Sequence, residues 1–217
     1  MKPIYLGIVG QIASGKGEVV KILTEQYGFV SFNLSSILHK ILDGKEITNF
    51  TRADLQDLGD KLRKEEGEGV LAKRAVKELG KIHCHAELVS TSIRRSRNKF
   101  GMTNNQIIIE GIRNPAEVNY LRTLPNFKLI AVKAKKTVRF ERLKKRGKPW
   151  DPKTWEEFLV VDRRDKGLGQ KKYGQQVGKC VGMSDMEIQN DRDIQKLEKE
   201  VKRLIIKRIK VLTIKET

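Results

Sequence analysis

The sequence predicts an α/β fold in which a parallel sheet carries helices on both faces, and three observations predict it. Apolar runs of strand length alternate with stretches whose apolar residues recur every three to four positions, the pattern of strands joined by crossover helices. One run, Ile107-Ile108-Ile109, is unbroken in its apolar character, as a strand covered on both faces requires. The first apolar run leads directly into a glycine-rich turn, Gly10-Gln11-Ile12-Ala13-Ser14-Gly15-Lys16-Gly17, and then into a helix. With 217 residues, 38% of them apolar, and no internal repeat or low-complexity linker, the chain is expected to form a single domain, residues 1–217, with a sizeable core.

Residues 4–9 are the first strand, bounded by Gly10. Residues 16–27 form a helix with Val19, Val20, Leu23 and Tyr27 on one side and Gly28 as its stop. Residues 29–34 give a second strand, after which Ser35 and Ser36 are placed to cap the helix carrying Ile37. Leu55, Leu58 and Leu62 lie at helical spacing over residues 52–63; Gly67 and Gly69 interrupt that pattern, and residues 70–79 resume it. Residues 80–106 read as irregular and polar. Beyond the strand at 107–109, Asn114-Pro115-Ala116-Glu117 combines an N-cap, a proline at the first helical position and an acid at the third. A strand at 129–132 precedes a basic helix over 137–146, ended by Gly147. Asp151-Pro152 opens a further helix with Trp155, Phe158 and Leu159 on its apolar side. Met186-Glu187-Ile188 is a last strand, and Ile194, Leu197, Val201, Leu204 and Ile205 mark a final amphipathic helix.

Lys and Arg number 45 against 27 Asp and Glu, a formal charge of +18. Such a surface attracts polyanions: nucleotides, nucleic acids or acidic membranes. Basic and apolar residues alternating over 196–215 account for part of the excess as a solvated helix face. No R-G-G repeat, recognition helix or basic arm accompanies the charge, so composition leaves nucleic acid open as a partner without pointing to it. No apolar stretch of about 18 residues occurs, so no membrane span is expected. The apolar N-terminal run is too short for a signal peptide. Two cysteines, Cys84 and Cys180, do not make a disulfide framework. These features suit a reducing cytoplasm.

Strand, then residues 10–17, then helix is the context of a phosphate-binding P-loop. Gly10 and Gly15 let backbone N–H groups converge on phosphate oxygens, Ser14 lies between them, Lys16 brings a point charge to the outer phosphates, and the helix behind directs its positive dipole end at the same anion. The expected ligand is ATP. The serine or threonine that follows the lysine in most such loops, and holds Mg²⁺ directly, is replaced here by Gly17, with Glu18 next. Mg²⁺ is therefore expected to be held through water or with the help of Glu110, at the end of the strand at 107–109.

Gly15-Lys16-Gly17 resembles the loop of adenylate kinases, in which glycine follows the lysine. Glu110-Gly111-Ile112-Arg113 resembles the Asp-Gly-Phe-Pro-Arg segment of nucleoside monophosphate kinases, one residue shorter. The chain is more similar still to a largely archaeal family of adenylate-kinase-like and dephospho-CoA-kinase-like P-loop proteins. Gly-Lys-Gly-Glu, Asp-Gly-Ile-Arg, Arg-Phe-Glu-Arg-Leu and Asp-Arg-Arg recur there in this order. Here they stand at 15–18, 110–113, 139–143 and 162–164, with glutamate in place of aspartate at 110. The resemblance covers most of the chain apart from 80–106 and the C-terminal tail. It implies a P-loop NTPase-type sheet, nucleoside monophosphate kinase-like, with an acceptor-binding insertion at about 35–105 and a lid at about 147–168.

Phosphoryl transfer needs positioning and charge neutralisation, which arginines supply bidentately. Arg113 stands just beyond a strand's C-terminal end, where open α/β sheets bind ligands. In the resembling kinases the equivalent arginine touches the acceptor phosphate. Arg139, Arg142 and Arg146 share one helix face by their spacing, and Arg163 and Arg164 follow on the next helix. The resemblance implies that such arginines close over the transferring phosphate, with Arg142 and Arg146 on the nucleotide. Arg52 stands where these kinases insert acceptor-binding helices. His83-Cys84-His85 lacks a second ligand pair and is not expected to hold zinc, and Trp150 and Trp155 are expected to pack. The expected activity is ATP-dependent phosphorylation of a nucleoside or deoxynucleoside monophosphate. A dephospho-CoA kinase-like hydroxyl acceptor is the alternative, weakened because Phe32-Asn33-Leu34-Ser35 carries no aspartate. A nucleic-acid-associated ATPase or polynucleotide kinase is a third reading, and a nucleotide-binding regulator without activity is a fourth.

Overall fold

The computed structural model describes residues 3–47, 49–88 and 106–206, with backbone alone at 52, 53 and 81–88. Its strands are β1 (Ile4–Val9), β2 (Val30–Asn33), β3 (Gln106–Glu110), β4 (Phe127–Lys133) and β5 (Met186–Gln189). They form one sheet in the order β2-β3-β1-β4-β5, every pairing parallel. Alternation within the apolar runs explains why both faces are covered. Leu6, Ile8, Ile108, Ile130 and Val132 enter one core, while Ile107, Ile109, Leu129 and Ala131 enter the other. All nine are at most 3% exposed, so each run had to be apolar throughout.

Two helices cover the first face. α1 (Lys16–Tyr27) buries Val19, Ile22, Leu23 and Tyr27, and α9 (Ile194–Leu204) buries Leu197 and Val201. The second face is covered by α2 (Ser35–Asp43), α3 (Arg52–Glu66), α4 (Val70–Leu88), α5 (Pro115–Leu121) and the six-residue α8 (Val177–Gly182). The two remaining helices, α6 (Lys136–Arg146) and α7 (Trp155–Lys166), pack Leu143 and Phe158 on Ile12 of the glycine-rich turn. They form a small third core of their own, which holds them against the loop.

The expected strands and helices are present, and the differences have local causes. α4 runs through Gly80 to Leu88, where an irregular segment was expected; the remainder of that segment and the side chains of His83-Cys84-His85 lie outside the described residues. Ser35 and Ser36 do not cap α2. Its N-cap position is Leu34, with no side-chain cap, and Asn33 Oδ1 accepts from both the Ser35 N–H and the Ser35 hydroxyl at 2.9 Å. α7 starts at Trp155, four residues after Asp151, because Thr154 and Glu157 form a capping box. α5 begins as read, with Asn114 and Glu117 closing the box. Trp155 packs on Phe140 and Phe158, whereas Trp150 is 61% exposed beneath the Lys148 ammonium. Cys180 is a free buried thiol, pushed up to about 12 by burial. Among the described residues no helix is long and apolar enough to cross a membrane.

Candidate functional site

The turn after β1 is shaped by contacts that tolerate little else. A side chain at Gly10 would meet the Val132 carbonyl at 2.4 Å, and Gly15 is left-handed at φ 91° with Asn190 Nδ2 only 2.0 Å from where its Cβ would lie. Gly15 ends the loop, and α1 begins at Lys16. The half-buried Lys16 ammonium donates to the carbonyls of Gly10 (2.6 Å) and Gln11 (3.0 Å), folding its charge over the loop. Gly17, by contrast, has nothing within 4 Å of its Cβ position. Packing therefore does not dictate the absence of a hydroxyl there.

Ser14 is buried and acts through its carbonyl, which accepts from Asn190 Nδ2 (2.9 Å) and from Arg142 (3.3 Å). Asn190 Oδ1 accepts in turn from Arg142 at 3.1 Å. Loop, α6 and the end of β5 are thereby joined in one ring of hydrogen bonds. Burial draws the Arg142 guanidinium below the ordinary arginine range, and the charges of Asp191 and Glu18 oppose that. Beside this ring lies a cleft of about 680 Å³ whose walls include Lys16, Glu18, Arg142, Arg146, Asn190 and Arg192. Three of its cations were anticipated from the sequence; Asn190 and Arg192 were not. Their position just past a strand end in an open α/β sheet was the available signal.

The arginines of α6 have three different fates. Arg139, read as part of a phosphate-facing row, is 1% exposed and bonded to Asp162 at 2.7 Å. It also donates to the Ile12 carbonyl at 3.3 Å and lies over the Phe158 ring. It belongs to the packing of α6 and α7 on the loop, because the same stripe that faces inward carries Leu143. Arg142 faces the cleft. Arg146 also lines it and forms a two-point ion pair with Asp151, which closes the turn after Gly147. Burial pushes Asp162 up, but its bonds with Arg139 and Lys166 outweigh this and hold it below the ordinary carboxylate range.

On the other side of the loop, Arg113 follows β3 and Gly111. Its guanidinium donates to Gln175 Oε1 (3.0 Å) and stands 3.7 Å from Asp165. Its backbone N–H is fixed by Glu117 Oε2 at 2.8 Å, and the fully buried Glu117 also holds Arg63 of α3 at 2.9 Å. Arg113, Arg63, Gln175, Ser35 and Gln56 line a second cavity of about 140 Å³. Arg52 is the first residue of α3, its side chain outside the described residues. Glu110 ends β3 one strand from the loop's own strand, half-buried, and accepts from the Ser31 hydroxyl at 2.9 Å. Arg163 and Arg164 are exposed near the C-terminal end of α7, with the Arg164 charge felt at Asp60 of α3. Among the described residues no group of three or more His, Cys, Asp or Glu side chains is placed to hold a metal. A lone strand-end carboxylate suits a cation that keeps most of its waters, as Mg²⁺ does.

No family model matches the chain. Among solved structures the fold is similar to a Thermus thermophilus protein (TM-score 0.54, 18% identity, 96% of this chain and 99% of that one). It is also similar to shikimate kinase of Bacteroides thetaiotaomicron (TM-score 0.51, 15% identity, 94% and 97%). A gluconokinase of Sinorhizobium meliloti scores alike (TM-score 0.51, 12% identity, 99% and 98%). At these identities the likeness speaks for the fold, a P-loop kinase sheet with its flanking helices. In sequence the chain is 31% identical over 210 residues to a UPF0200 protein of Thermococcus gammatolerans, covering 94% of this chain and 95% of the relative. It is 30% identical over 209 residues to one of Methanothermobacter thermautotrophicus, covering 95% and 92%. Near-complete coverage in both directions at this identity leaves one conclusion: the chain belongs to the UPF0200 family.

Proposed function

We propose that the protein is an ATP-dependent phosphotransferase whose acceptor is a nucleotide, a nucleoside or deoxynucleoside monophosphate. The observation that carries this is the glycine loop with Lys16 at the head of α1, opening on one side to the cleft of about 680 Å³ and followed on the other by Arg113. The cleft, with Lys16, Arg142, Arg146 and Arg192, is of a size and charge for a nucleoside triphosphate. In this reading Gly10, Ser14, Gly15, Gly17 and Glu18 shape the donor site. Arg113 takes the acceptor anion together with Arg52, and Arg163 and Arg164 meet charge that develops during transfer. Mg²⁺ would be held through water by Glu110 and would neutralise phosphate charge.

An acceptor that is already an anion needs no strong base, which fits the absence of an aspartate on β2. A hydroxyl acceptor is the second reading. Its support is Asp60 on α3, bonded to Arg63 at 3.2 Å and placed between Gly59 and the Arg63 that line the smaller cavity; burial raises its carboxyl, although the Arg63 charge opposes the shift. The test is ATP turnover against nucleoside monophosphates, hydroxylated sugar acids, dephospho-CoA and RNA or DNA ends. Transfer to a monophosphate is expected. Transfer to a hydroxyl compound alone favours Asp60 as base, transfer to polynucleotide ends gives the +18 charge its role, and no ATP binding at all overturns the proposal.

A further inference from the structure

The loop that would hold the donor is tied from behind by a carboxylate. Asp165, near the end of α7 and 7% exposed, accepts the Ile12 N–H at 2.9 Å through Oδ2. Its other oxygen, Oδ1, lies 3.7 Å from the Arg113 guanidinium, a charge contact too long for a hydrogen bond. Arg113 is itself held by Gln175 and lines the smaller cavity. One buried negative charge is thus shared between a backbone donor of the phosphate loop and the arginine on the acceptor side. A carboxylate drawn toward a guanidinium is a weaker acceptor for its second donor, and removing the guanidinium returns its full charge to that donor.

We propose that Asp165 is a positioning residue that couples the two halves of the site. An anion arriving at Arg113 draws the guanidinium away from Asp165, Asp165 then holds the Ile12 N–H more strongly, and the phosphate loop stiffens around the donor. The proposal rests on Arg113 being the acceptor-side anion ligand, as in the function proposed above. By reciprocity, donor binding strengthens anion binding at Arg113 by the same factor.

The readout is hydrogen exchange of the Ile12 amide, followed by NMR, because a merely structural tether would not respond to events at Arg113. In ligand-free protein, Arg113→Ala is expected to slow Ile12 exchange by about fivefold or more, the lower end of ordinary coupling between sites. Equal exchange in wild type and Arg113→Ala overturns the proposal. In protein saturated with a nonhydrolysable ATP analogue, inorganic phosphate is expected to slow Ile12 exchange in wild type and to have no effect in Arg113→Ala. Asp165→Asn keeps an oxygen for the Ile12 N–H and removes the competing charge. Phosphate should bind it more tightly than wild type while Ile12 no longer responds, and a wild-type response in Asp165→Asn also overturns the proposal. If Asp165→Asn does not fold, the Arg113→Ala comparison decides alone. If the analogue fails to bind wild type, the phosphotransferase reading falls, while the ligand-free comparison still decides the role of Asp165.

Discussion

Lys16 and its neighbour Gly17 show how differently two adjacent residues can be constrained. The Lys16 ammonium has carbonyl partners in the loop, but it is half-buried and no part of the third core. Lys16→Ala is therefore expected to change stability by no more than about 1 kcal/mol. Loss of its charge from the triphosphate should lower phosphoryl transfer by roughly 10²-fold or more. Turnover within a few-fold of wild type in a folded Lys16→Ala variant would remove the kinase assignment. At Gly17 the space around the missing side chain is open and the backbone is helical with negative φ. Gly17→Ser should then stabilise α1 by about 0.5 kcal/mol, which a chemical denaturation curve would register. Its hydroxyl should also lower the Mg²⁺ concentration needed for half-maximal activity. A Gly17→Ser protein with wild-type Mg²⁺ dependence would show that the metal lies away from α1, with Glu110.

At the scale of elements, legibility followed the range of the contacts involved. Asn114, Pro115 and Glu117 announce α5 because all its signals lie within four residues. Lys16–Tyr27 was readable to the residue because Gly15 and Gly28 both adopt the left-handed conformation that bounds it. What depended on distant partners was not readable. The spacing of Arg139, Arg142 and Arg146 gave their common helix but not that Asp162, 23 residues from Arg139, would bury the first of them. Asp165 and Asn190 reach the loop across 153 and 176 residues, and no local pattern distinguishes them from other acids and amides. The pair they flank is the more consequential for stability. Removing the Asp162 carboxylate leaves Arg139 buried and charged, so Asp162→Ala is expected to cost about 3 kcal/mol. In a domain of this size that lowers Tm by roughly 6–12 °C. The folded Asp162 carboxyl lies below its ordinary range, so its contribution is present above an unfolded pKa of about 4 and is lost as pH falls through the lower folded value. The gap between the thermal melts of wild type and Asp162→Ala should therefore narrow as pH falls from 7 toward 3. A gap that stays constant with pH would place the loss in packing instead.

For the whole molecule, three cores define what can move. The two large ones hold the sheet between its helix layers, and the small one clamps α6 and α7 to the glycine-rich loop through Ile12, Leu143 and Phe158. Two acids of α7 reinforce that clamp, Asp162 through Arg139 of α6 and Asp165 through the Ile12 N–H of the loop. A lid spanning all of 147–168, as the sequence suggested, would have to break both. The connection between α6 and α7 is held differently, by the pair of half-exposed Arg146 with buried Asp151 and a backbone turn from Lys148 to Asp151. Arg146 also lines the cleft of about 680 Å³, so in the proposed function a triphosphate there would compete with Asp151 for it. Closure is therefore expected to be a rearrangement of residues 147–154 on a fixed α7, with α3 approaching from the acceptor side, where Asp60 faces the charge of Arg164. A bisubstrate nucleotide analogue engages both sides together and should slow amide exchange over 147–154 and in α3, leaving the second half of α7 unchanged. Slowing that extends evenly to Lys166 would mean that the small core opens in the resting protein. Unchanged exchange throughout would make this basic segment a static surface, and its charge would then call for a polyanionic partner outside the cleft.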